Sequence, residues 1–274
     1  MIKLIASDID GTLVPEGAHV LDPAYFDVIR EMREAGIIFC ACSGRKYESM
    51  RKLFEPVADM IYFISANGTL VRTKDRILHS WSIDPDMYPP LLQKLRSVGS
   101  GEIVVEGPDD CWIEGSDTPV TRLMRDQYKY SVENVTNLDA LVTKDIIKVS
   151  FYYPDVEELT EDFYNSRFSK DLAMTVSGKT WLDFTAAGTG KGTALAFLKQ
   201  HLGIHSEETV YFGDNLNDLS AFQEAGVTGT VQNARPELHE AADIVAPSFT
   251  DRGVLQALRH LLDLKRQVQA ANNA

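Results

Sequence analysis

The stretch that decides the fold is Ile2-Lys3-Leu4-Ile5-Ala6-Ser7-Asp8-Ile9-Asp10-Gly11-Thr12, near the start of the chain. The apolar run over residues 2–6 predicts a buried strand, and two carboxylates follow where that strand ends. Because side chains alternate faces along an extended chain, Asp8 and Asp10 can project from the same face. Open α/β sheets bind their ligands at the carboxyl ends of their strands, so the pair predicts a ligand site.

Two acids this close repel each other unless a cation lies between them or one of them holds a proton at neutral pH. A strand-to-turn junction, in which Asp and Gly only serve turn geometry, explains the same residues equally well. The rest of the chain has to decide between a chemical site and a turn.

Length and composition limit the possible classes of protein. A chain of 274 residues exceeds the usual size of one hydrophobic core, which predicts two domains or one domain with a large insertion. The hydrophobic fraction of 44% and the charged fraction of 24% are typical of a soluble globular protein. A net charge of -13 argues against a nucleic-acid partner, because the phosphate backbone is itself anionic. The three cysteines support neither a disulfide framework nor a zinc site.

The sequence shows no basic segment followed by a long apolar one at its start, and no run of about 18 apolar residues elsewhere. We therefore expect a cytoplasmic protein without a membrane partner. We also expect a monomer or a weak homodimer.

Short apolar runs alternate with longer amphipathic ones, which is the pattern of strands joined by crossover helices. The pattern predicts an α/β fold with a doubly wound, Rossmann-like parallel sheet. The predicted elements of this sheet and its helices are strand 2–6, helix 22–35, strand 37–42, strand 60–64, helix 192–202, strand 209–212, helix 216–225, strand 227–231 and helix 254–264.

Between residues 84 and 188 the rhythm changes to that of an α+β unit with mixed strand pairing. We therefore predict a core domain made of residues 1–83 and 189–274, interrupted by an inserted domain over 84–188.

A second acidic cluster, Gly213-Asp214-Asn215-Leu216-Asn217-Asp218, follows a predicted strand. Helix N-capping explains one acid here but not so crowded a group. Mg²⁺ takes oxygen ligands and usually only one or two carboxylates directly. Asp8 and Asp214 can supply these, with the Asp10 backbone carbonyl as a third ligand.

Lys191 lies in Gly188-Thr189-Gly190-Lys191-Gly192-Thr193, which invites comparison with a Walker phosphate loop. That motif needs a glycine at position 185 and Ser or Thr at position 192, but the chain has Thr185 and Gly192. A lysine at the start of a helix opposes the helix dipole, so it needs another reason to be there. Binding a phosphate and a nearby carboxylate is such a reason, and a solvated surface lysine is the alternative.

Taken together, the sequence resembles the haloacid dehalogenase-like phosphohydrolases, and within them the Cof-type subgroup. The four family motifs occur in order as Asp8-x-Asp10-x-Thr12, Ser43 in Ser43-Gly44-Arg45, Lys191, and Gly213-Asp214-x-x-x-Asp218. The Asn67-Gly68 turn and the segment 233–242 also resemble the subgroup. The resemblance spans nearly the whole chain, and the insert corresponds to the family's α/β cap, which is expected to choose the substrate. Residues 220–222 depart from the subgroup, which more often has a methionine there.

The resemblance implies roles for the acids. Asp8 is expected to attack phosphorus and form an aspartyl-phosphate, while Asp10 protonates the leaving group and then activates water. The implied metal is Mg²⁺, held by Asp8, Asp10 and Asp214. Asp218 is expected to orient Lys191 or metal-bound water.

The resemblance also implies which groups hold the phosphate. The expected ligands of the phosphoryl oxygens are Ser43, the Gly44 amide, Lys191 and Asn217. Thr12 is expected to brace the turn between the first two acids. Arg45 can either reach the leaving group or form a surface ion pair.

The expected reaction is magnesium-dependent hydrolysis of a small phosphomonoester, such as a sugar phosphate or a related metabolite. A phosphomutase on the same scaffold would keep both aspartates, and the motifs barely exclude it. A phosphate-accepting receiver protein would need neither Asp10 nor the insert. A dehalogenase ordinarily lacks the second acid, and a noncatalytic binding protein would be expected to have lost Asp8 or Lys191.

Overall fold

The computed structural model describes residues 1–164, 166, 168–176 and 179–272. The chain forms two compact units. We call them the core unit, Met1–His79 with Gly190–Ala274, and the insert unit, Ser80–Thr189. The insert unit interrupts the sequence of the core unit.

Strands and helices are numbered separately along the chain. The strands are β1 (Leu4–Asp8), β2 (Ile38–Cys42), β3 (Tyr62–Ser65), β4 (Leu70–Arg72), β5 (Ile77–Ser80), β6 (Glu102–Glu106), β7 (Cys111–Glu114), β8 (Glu133–Val135), β9 (Lys148–Tyr152), β10 (Leu172–Val176), β11 (Trp181–Ala186), β12 (Thr209–Phe212), β13 (Val227–Val231) and β14 (Ile244–Ala246). The helices are α1 (Pro23–Glu34), α2 (Tyr47–Leu53), α3 (Tyr88–Ser97), α4 (Pro119–Arg122), α5 (Glu157–Tyr164), α6 (Phe168–Asp171), α7 (Lys191–Leu202), α8 (Leu219–Phe222), α9 (Pro236–Ala241) and α10 (Gly253–Asn272).

The sheet of the core unit has the order β14-β13-β12-β1-β2-β3-β4-β5. Neighbours from β14 to β3 are parallel, and β4 joins β3 antiparallel. The chain continues from β1 to β2 on one side, whereas β12 lies on the other side, so the strand order reverses at β1. This reversal is the switch point where doubly wound sheets bind ligands. The α/β, doubly wound prediction is confirmed.

Buried strands and capped helices explain why these residues form the core unit. Every residue of β1 and of β12 is buried, as expected for strands covered by helices on both faces. Helix α1 begins as predicted, with the Asp22 side chain accepting a hydrogen bond from the Ala24 N–H at 2.9 Å and Pro23 in the first turn. Helix α7 ends at Gly203, whose φ of 65° closes the helix in the left-handed region.

The insert unit is built on a second sheet of order β10-β11-β9-β6-β7-β8. Its strand pairs are antiparallel except for β7 with β8. An apolar cluster that includes Leu91 and Leu92 of α3 packs with sheet residues such as Val149 and Phe151. No helix in the described part of the chain is long and apolar enough to cross a membrane.

The main local difference from the sequence prediction lies after β12. A single helix was predicted over 216–225, whereas the structure has a 3₁₀ turn over Leu216–Asp218 followed by the short helix α8. The Asp218 carboxylate accepts hydrogen bonds from the backbone N–H groups of Asp214 and Asn215, which keeps the chain in a tight turn at this point.

Candidate active site

Three loops of the core unit meet at the carboxyl ends of neighbouring parallel strands. Asp8 is the last residue of β1 and pairs in register with Cys42, so Ser43 directly follows at the same edge. Ser7 pairs with Phe212, the last residue of β12, which brings the segment beginning at Gly213 to that edge as well. Sheet register alone therefore gathers three of the four motifs.

Lys191, the first residue of α7, joins two of these loops. Its Nζ atom donates to Asp8 Oδ1 and to Asp218 Oδ1, both at 2.7 Å, and the side chain is only 1% exposed. Burial disfavours the ammonium, but the carboxylates of Asp218 and Asp8 outweigh it, so the pKa of Lys191 is raised. A surface lysine is thereby excluded, and the site holds a permanent buried cation.

Asp218 is fully buried and accepts four hydrogen bonds. Oδ1 accepts from Lys191 and from the Tyr211 hydroxyl at 2.7 Å. Oδ2 accepts from the backbone N–H groups of Asp214 at 3.0 Å and of Asn215 at 3.1 Å. A carboxylate with four donors is saturated, so Asp218 orients Lys191 and the loop around it.

Asp8, Asp214 and Asp218 place carboxylate oxygens within 4.8 Å of one another. When all three carboxylates are ionised, they and the single Lys191 ammonium carry a net charge of two negative units. Burial raises the pKa of Asp8 well above its usual value, and the charges of Asp218 and Asp214 raise it further while Lys191 opposes them. Burial likewise raises the pKa of Asp214.

A divalent cation fits this group of residues. Their donors are hard carboxylate oxygens, the type that Mg²⁺ prefers, and the excess charge equals that of one such ion. Because Asp218 is saturated by its four donors, Asp8 and Asp214 are the better direct ligands. The acidic group that fits a divalent cation therefore consists of Asp8, Asp214 and Asp218, and the Asp10 side chain is not part of it.

Glycine at position 11 makes room for Asp214. A Cβ atom built on Gly11 would lie 2.2 Å from Asp214 Oδ2, and the φ of +77° is itself unfavourable for other residues. The Thr12 hydroxyl donates to Asp214 Oδ1 at 2.8 Å. Thr12 therefore holds an acid of the other motif, a contact that the sequence did not predict.

Asp10 lies apart from this cluster and pairs with Arg45. Arg45 Nε donates to Asp10 Oδ2 at 2.7 Å and Nη2 donates to Oδ1 at 2.5 Å, while Nη1 donates to the Ala18 carbonyl at 2.7 Å. The Gly17 N–H donates to Asp10 Oδ1 at 2.9 Å. The side chains of Arg45 and Asp10 are 11% and 26% exposed, so the pair is partly buried. Arg45 thus forms an ion pair, one of the two alternatives considered from the sequence, but its partner is a motif residue and the pair is partly buried.

The remaining predicted phosphate ligands lie around Asn67. The Asn67 side-chain carbonyl accepts from Asn217 Nδ2 at 3.1 Å. A Cβ atom on Gly44 would lie 3.0 Å from the same oxygen. Ser43 is buried, and its hydroxyl accepts from the Arg45 N–H at 3.1 Å. Sequence reasoning gave Asn67 no role, and the Asn-Gly pair after β3 was the one signal for it.

Comparison with known proteins gives a consistent result. A family model described as haloacid dehalogenase-like hydrolase matches residues 5–258. The chain is 28% identical over 259 residues to the 5-amino-6-(5-phospho-D-ribitylamino)uracil phosphatase YcsE of Bacillus subtilis, covering 94% of this chain and 95% of that protein. It is 26% identical over 241 residues to an HMP-PP phosphatase of an Enterobacter species, covering 87% of both chains.

The solved structures agree with the fold. A crystal structure of a protein from Eubacterium rectale matches with a TM-score of 0.89 and 36% identity, covering 95% of this chain and 99% of that one. The subclass IIB sugar phosphatase BT4131 shares the fold with a TM-score of 0.79, at 20% identity, covering 94% of this chain and 98% of that one. The resemblance inferred from the motifs is confirmed, and the chain belongs to the haloacid dehalogenase-like hydrolase family, in its Cof-type subgroup.

Proposed function

We propose that this protein is a magnesium-dependent phosphatase that hydrolyses a small phosphomonoester, a sugar phosphate or a related metabolite. The observation that carries the proposal is Lys191, buried between Asp8 and Asp218 and next to Asp214. The names of the relatives support the substrate class, because one is a phosphatase of a phosphoribityl compound and another of HMP-PP.

Asp8 is the nucleophile in this proposal. Lys191 binds its Oδ1, which fixes the carboxylate and favours its ionised form. The carboxylate attacks phosphorus, the bond from phosphorus to the leaving oxygen breaks, and an aspartyl-phosphate forms. Water then cleaves that intermediate and releases inorganic phosphate.

Mg²⁺ would be held by Asp8, Asp214 and the Asp10 main-chain carbonyl, and when bound it offsets the negative charge of the phosphate and the carboxylates. Asp10 is the general acid and base. It gives a proton to the leaving oxygen and then accepts one from the attacking water. Arg45 and the Gly17 amide fix its carboxyl group for both transfers.

Four groups are proposed to bind the oxygens of the transferring phosphoryl group: the Ser43 hydroxyl, the Gly44 amide, the Lys191 ammonium and the Asn217 side-chain amide. All are donors, and phosphoryl transfer depends mainly on such positioning and charge stabilisation. Thr12 and Asp218 do not touch substrate in this proposal. They hold Asp214 and Lys191 in place.

The same proposal places the protein in the cytoplasm as a monomer or a weak homodimer, with the inserted domain, residues 84–188 by the sequence boundaries, choosing the substrate. The three cysteines of the chain are free and buried, which suits a reducing compartment. Size-exclusion chromatography with light scattering tests the oligomeric state, since a stable higher oligomer would contradict it.

The test is a phosphate-release screen with Mg²⁺ over sugar phosphates, nucleotides and cofactor phosphates, with Asp8→Asn as the matched control. We expect release of phosphate from at least one class, loss of release with EDTA, and no release by the variant although it folds. Near-normal magnesium-dependent turnover by Asp8→Asn would refute the nucleophile. An isomerised product without free phosphate would indicate a mutase, and a stable phosphoprotein without turnover would indicate a receiver.

A further inference from the structure

The turn that follows β3 has an unusual backbone. Ala66 and Asn67 lie in the left-handed region, with φ of 49° and 57°. Such a conformation costs a non-glycine residue about 1 kcal/mol or more, although Asn tolerates it better than most. Two successive residues of this kind persist only where their surroundings hold them, and such strain clusters at functional sites.

Backbone hydrogen bonds hold this turn against the loop after β2. The Ala66 N–H donates to the Arg45 carbonyl at 2.9 Å, and the Asn67 N–H donates to the Ser43 carbonyl at 3.1 Å. The peptide between Ser43 and Gly44 is trans, so its N–H points opposite to its carbonyl. Since the carbonyl faces the Asn67 N–H, the Gly44 N–H faces away from the turn and is left for a ligand.

The Asn67 side chain makes a second connection. Its Oδ1 accepts from Asn217 Nδ2 at 3.1 Å, which fixes the rotation of the Asn217 amide. A Cβ atom built on Gly44 would lie 3.0 Å from the same oxygen, which is closer than an ordinary van der Waals contact. The Asn67 side chain therefore forms a hydrogen bond with the loop after β12 and lies close to Gly44 in the loop after β2.

The next residue packs on the helix that carries the buried lysine. A Cβ atom on Gly68 would lie 2.2 Å from the Gly190 carbonyl, directly before Lys191. The turn thus adjoins the three loops that carry the donors proposed to hold the phosphate.

We propose that Asn67 is a positioning residue of the phosphate site, whose left-handed backbone orients the Gly44 amide and whose side chain orients the Asn217 amide. This inference rests on the proposed function, because it concerns the same phosphate donors. Asn67 acts through these two groups and is not assigned contact with the reacting atoms.

The decisive variant is Asn67→Gly. Glycine adopts the left-handed conformation freely, so the variant keeps the turn and removes only the side chain. We expect an unchanged Tm and about a tenfold rise in both the KM for p-nitrophenyl phosphate and the Ki for inorganic phosphate, corresponding to about 1.4 kcal/mol. Arg252→Gly is the matched control, because Arg252 is also left-handed at φ 58° but pairs with Asp22 instead. Its Ki for phosphate should not change.

A double-mutant cycle separates positioning from general loosening of the fold. If Asn67 acts through Asn217, Asn67→Gly should raise the Ki for phosphate by a clearly smaller factor in an Asn217→Ala background than in the wild type.

Asn67→Asp provides a second variant. It keeps the oxygen that accepts from Asn217 but adds a negative charge, so its Ki for phosphate should rise above the wild-type value. Its Tm should not rise.

Three results would overturn the inference: a wild-type Ki in Asn67→Gly, full additivity with Asn217→Ala, or an equal change in Arg252→Gly. These failures differ from failure of the proposed function, in which the wild-type protein itself would release no phosphate. If the wild-type protein turns over substrate and Asn67→Gly has the same Ki for phosphate, only the role of Asn67 is refuted.

Discussion

The pair between Arg45 and Asp10 gives the sharpest prediction. Arg45 supplies two of the hydrogen bonds that fix the Asp10 carboxyl group, and the Gly17 amide supplies another. In Arg45→Gln the charged fork is lost and Asp10 retains the Gly17 contact. If Asp10 is the acid that protonates the leaving group, its placement should then deteriorate while Asp8 and Lys191 remain untouched.

The size of the effect follows from the burial of the pair. A hydrogen bond to a charged group contributes about 1.5–3 kcal/mol when buried, and exposed ion pairs contribute well under 1 kcal/mol. With side chains 11% and 26% exposed, the pair lies between these limits. We take about 1–2 kcal/mol, which corresponds to a loss of about 5–30-fold in kcat. This is a fraction of the 10²–10⁴-fold that a general acid typically contributes.

The assay compares two leaving groups at saturating substrate and Mg²⁺. A sugar phosphate releases a poor leaving group that needs a proton, whereas p-nitrophenol leaves without one. We expect Arg45→Gln to lose about 5–30-fold in kcat on the sugar phosphate and less than about 3-fold on p-nitrophenyl phosphate. Arg45→Lys should lie between the variant and the wild type, because a lysine keeps the charge but not the fork. Asp10→Asn should show the same contrast more strongly. Equal losses on both substrates would refute the assignment of Asp10 and of Arg45 together.

Three further predictions concern the acidic cluster. Gly11→Ala should raise the Mg²⁺ concentration needed for half-maximal activity by at least about tenfold, because its Cβ would lie 2.2 Å from Asp214 Oδ2. An unchanged magnesium titration would contradict the metal site. Asp8→Asn should raise the Tm of the metal-free protein at neutral pH, because it replaces a buried carboxylate with a neutral amide. Each kcal/mol gained in the free energy of unfolding corresponds to a rise of about 2–4 °C. The sign follows because burial raises the pKa of Asp8 above its usual 3.8, so the stability that this group contributes at low pH is lost as the pH rises through the folded-state pKa. The difference should therefore disappear below about pH 4, and thermal scans in EDTA across this range measure it. Tyr211→Phe should lower the free energy of unfolding by about 1.5–3 kcal/mol, because it removes one of the four donors to the buried Asp218, and urea titration would show no change if that hydrogen bond were dispensable.

The position of the site followed from the sequence because it depends on strand ends. Asp8, Ser43 and Asp214 each follow a buried apolar strand, and parallel strands place their carboxyl ends at one edge. The doubly wound rhythm could therefore be read from apolar periodicity alone. The roles of these residues came from the family resemblance and remain predictions for the experiments above.

The side-chain partners could not be read in the same way. Strand alternation continued from Asp8 to Asp10 predicts that both side chains share one face. However, β1 ends at Asp8 and the chain then turns, with the Leu13 N–H donating to the Ile9 carbonyl at 2.8 Å. Gly11, at a φ of +77°, is part of this turn. The alternation of side chains between faces ends with the last strand residue. Asp10 therefore pairs with Arg45 and does not join the cluster of Asp8, Asp214 and Asp218.

Short elements were also missed, for a related reason. β4 and β14 have only three residues each, α9 has six, and runs of this length carry too few periods to show a pattern. The last helix was predicted to end near Leu264 but continues to Asn272. Its last turns are polar, so apolar periodicity gave no signal for them.

The separation of Asp8 from Asp10 supports the different roles that we propose for these two acids. The Asp8 side chain is 7% exposed and accepts a hydrogen bond from the buried Lys191 ammonium. The Asp10 side chain is 26% exposed and held by Arg45, which leaves it in contact with solvent. A nucleophile must stay ionised and fixed, whereas an acid that later serves as a base must exchange protons with a leaving group and with water. The turn at Gly11 gives these neighbouring residues two different environments. The proposed roles therefore require that Asp10 cannot replace Asp8 as the nucleophile, so Asp8→Asn with Asp10 intact should show no turnover.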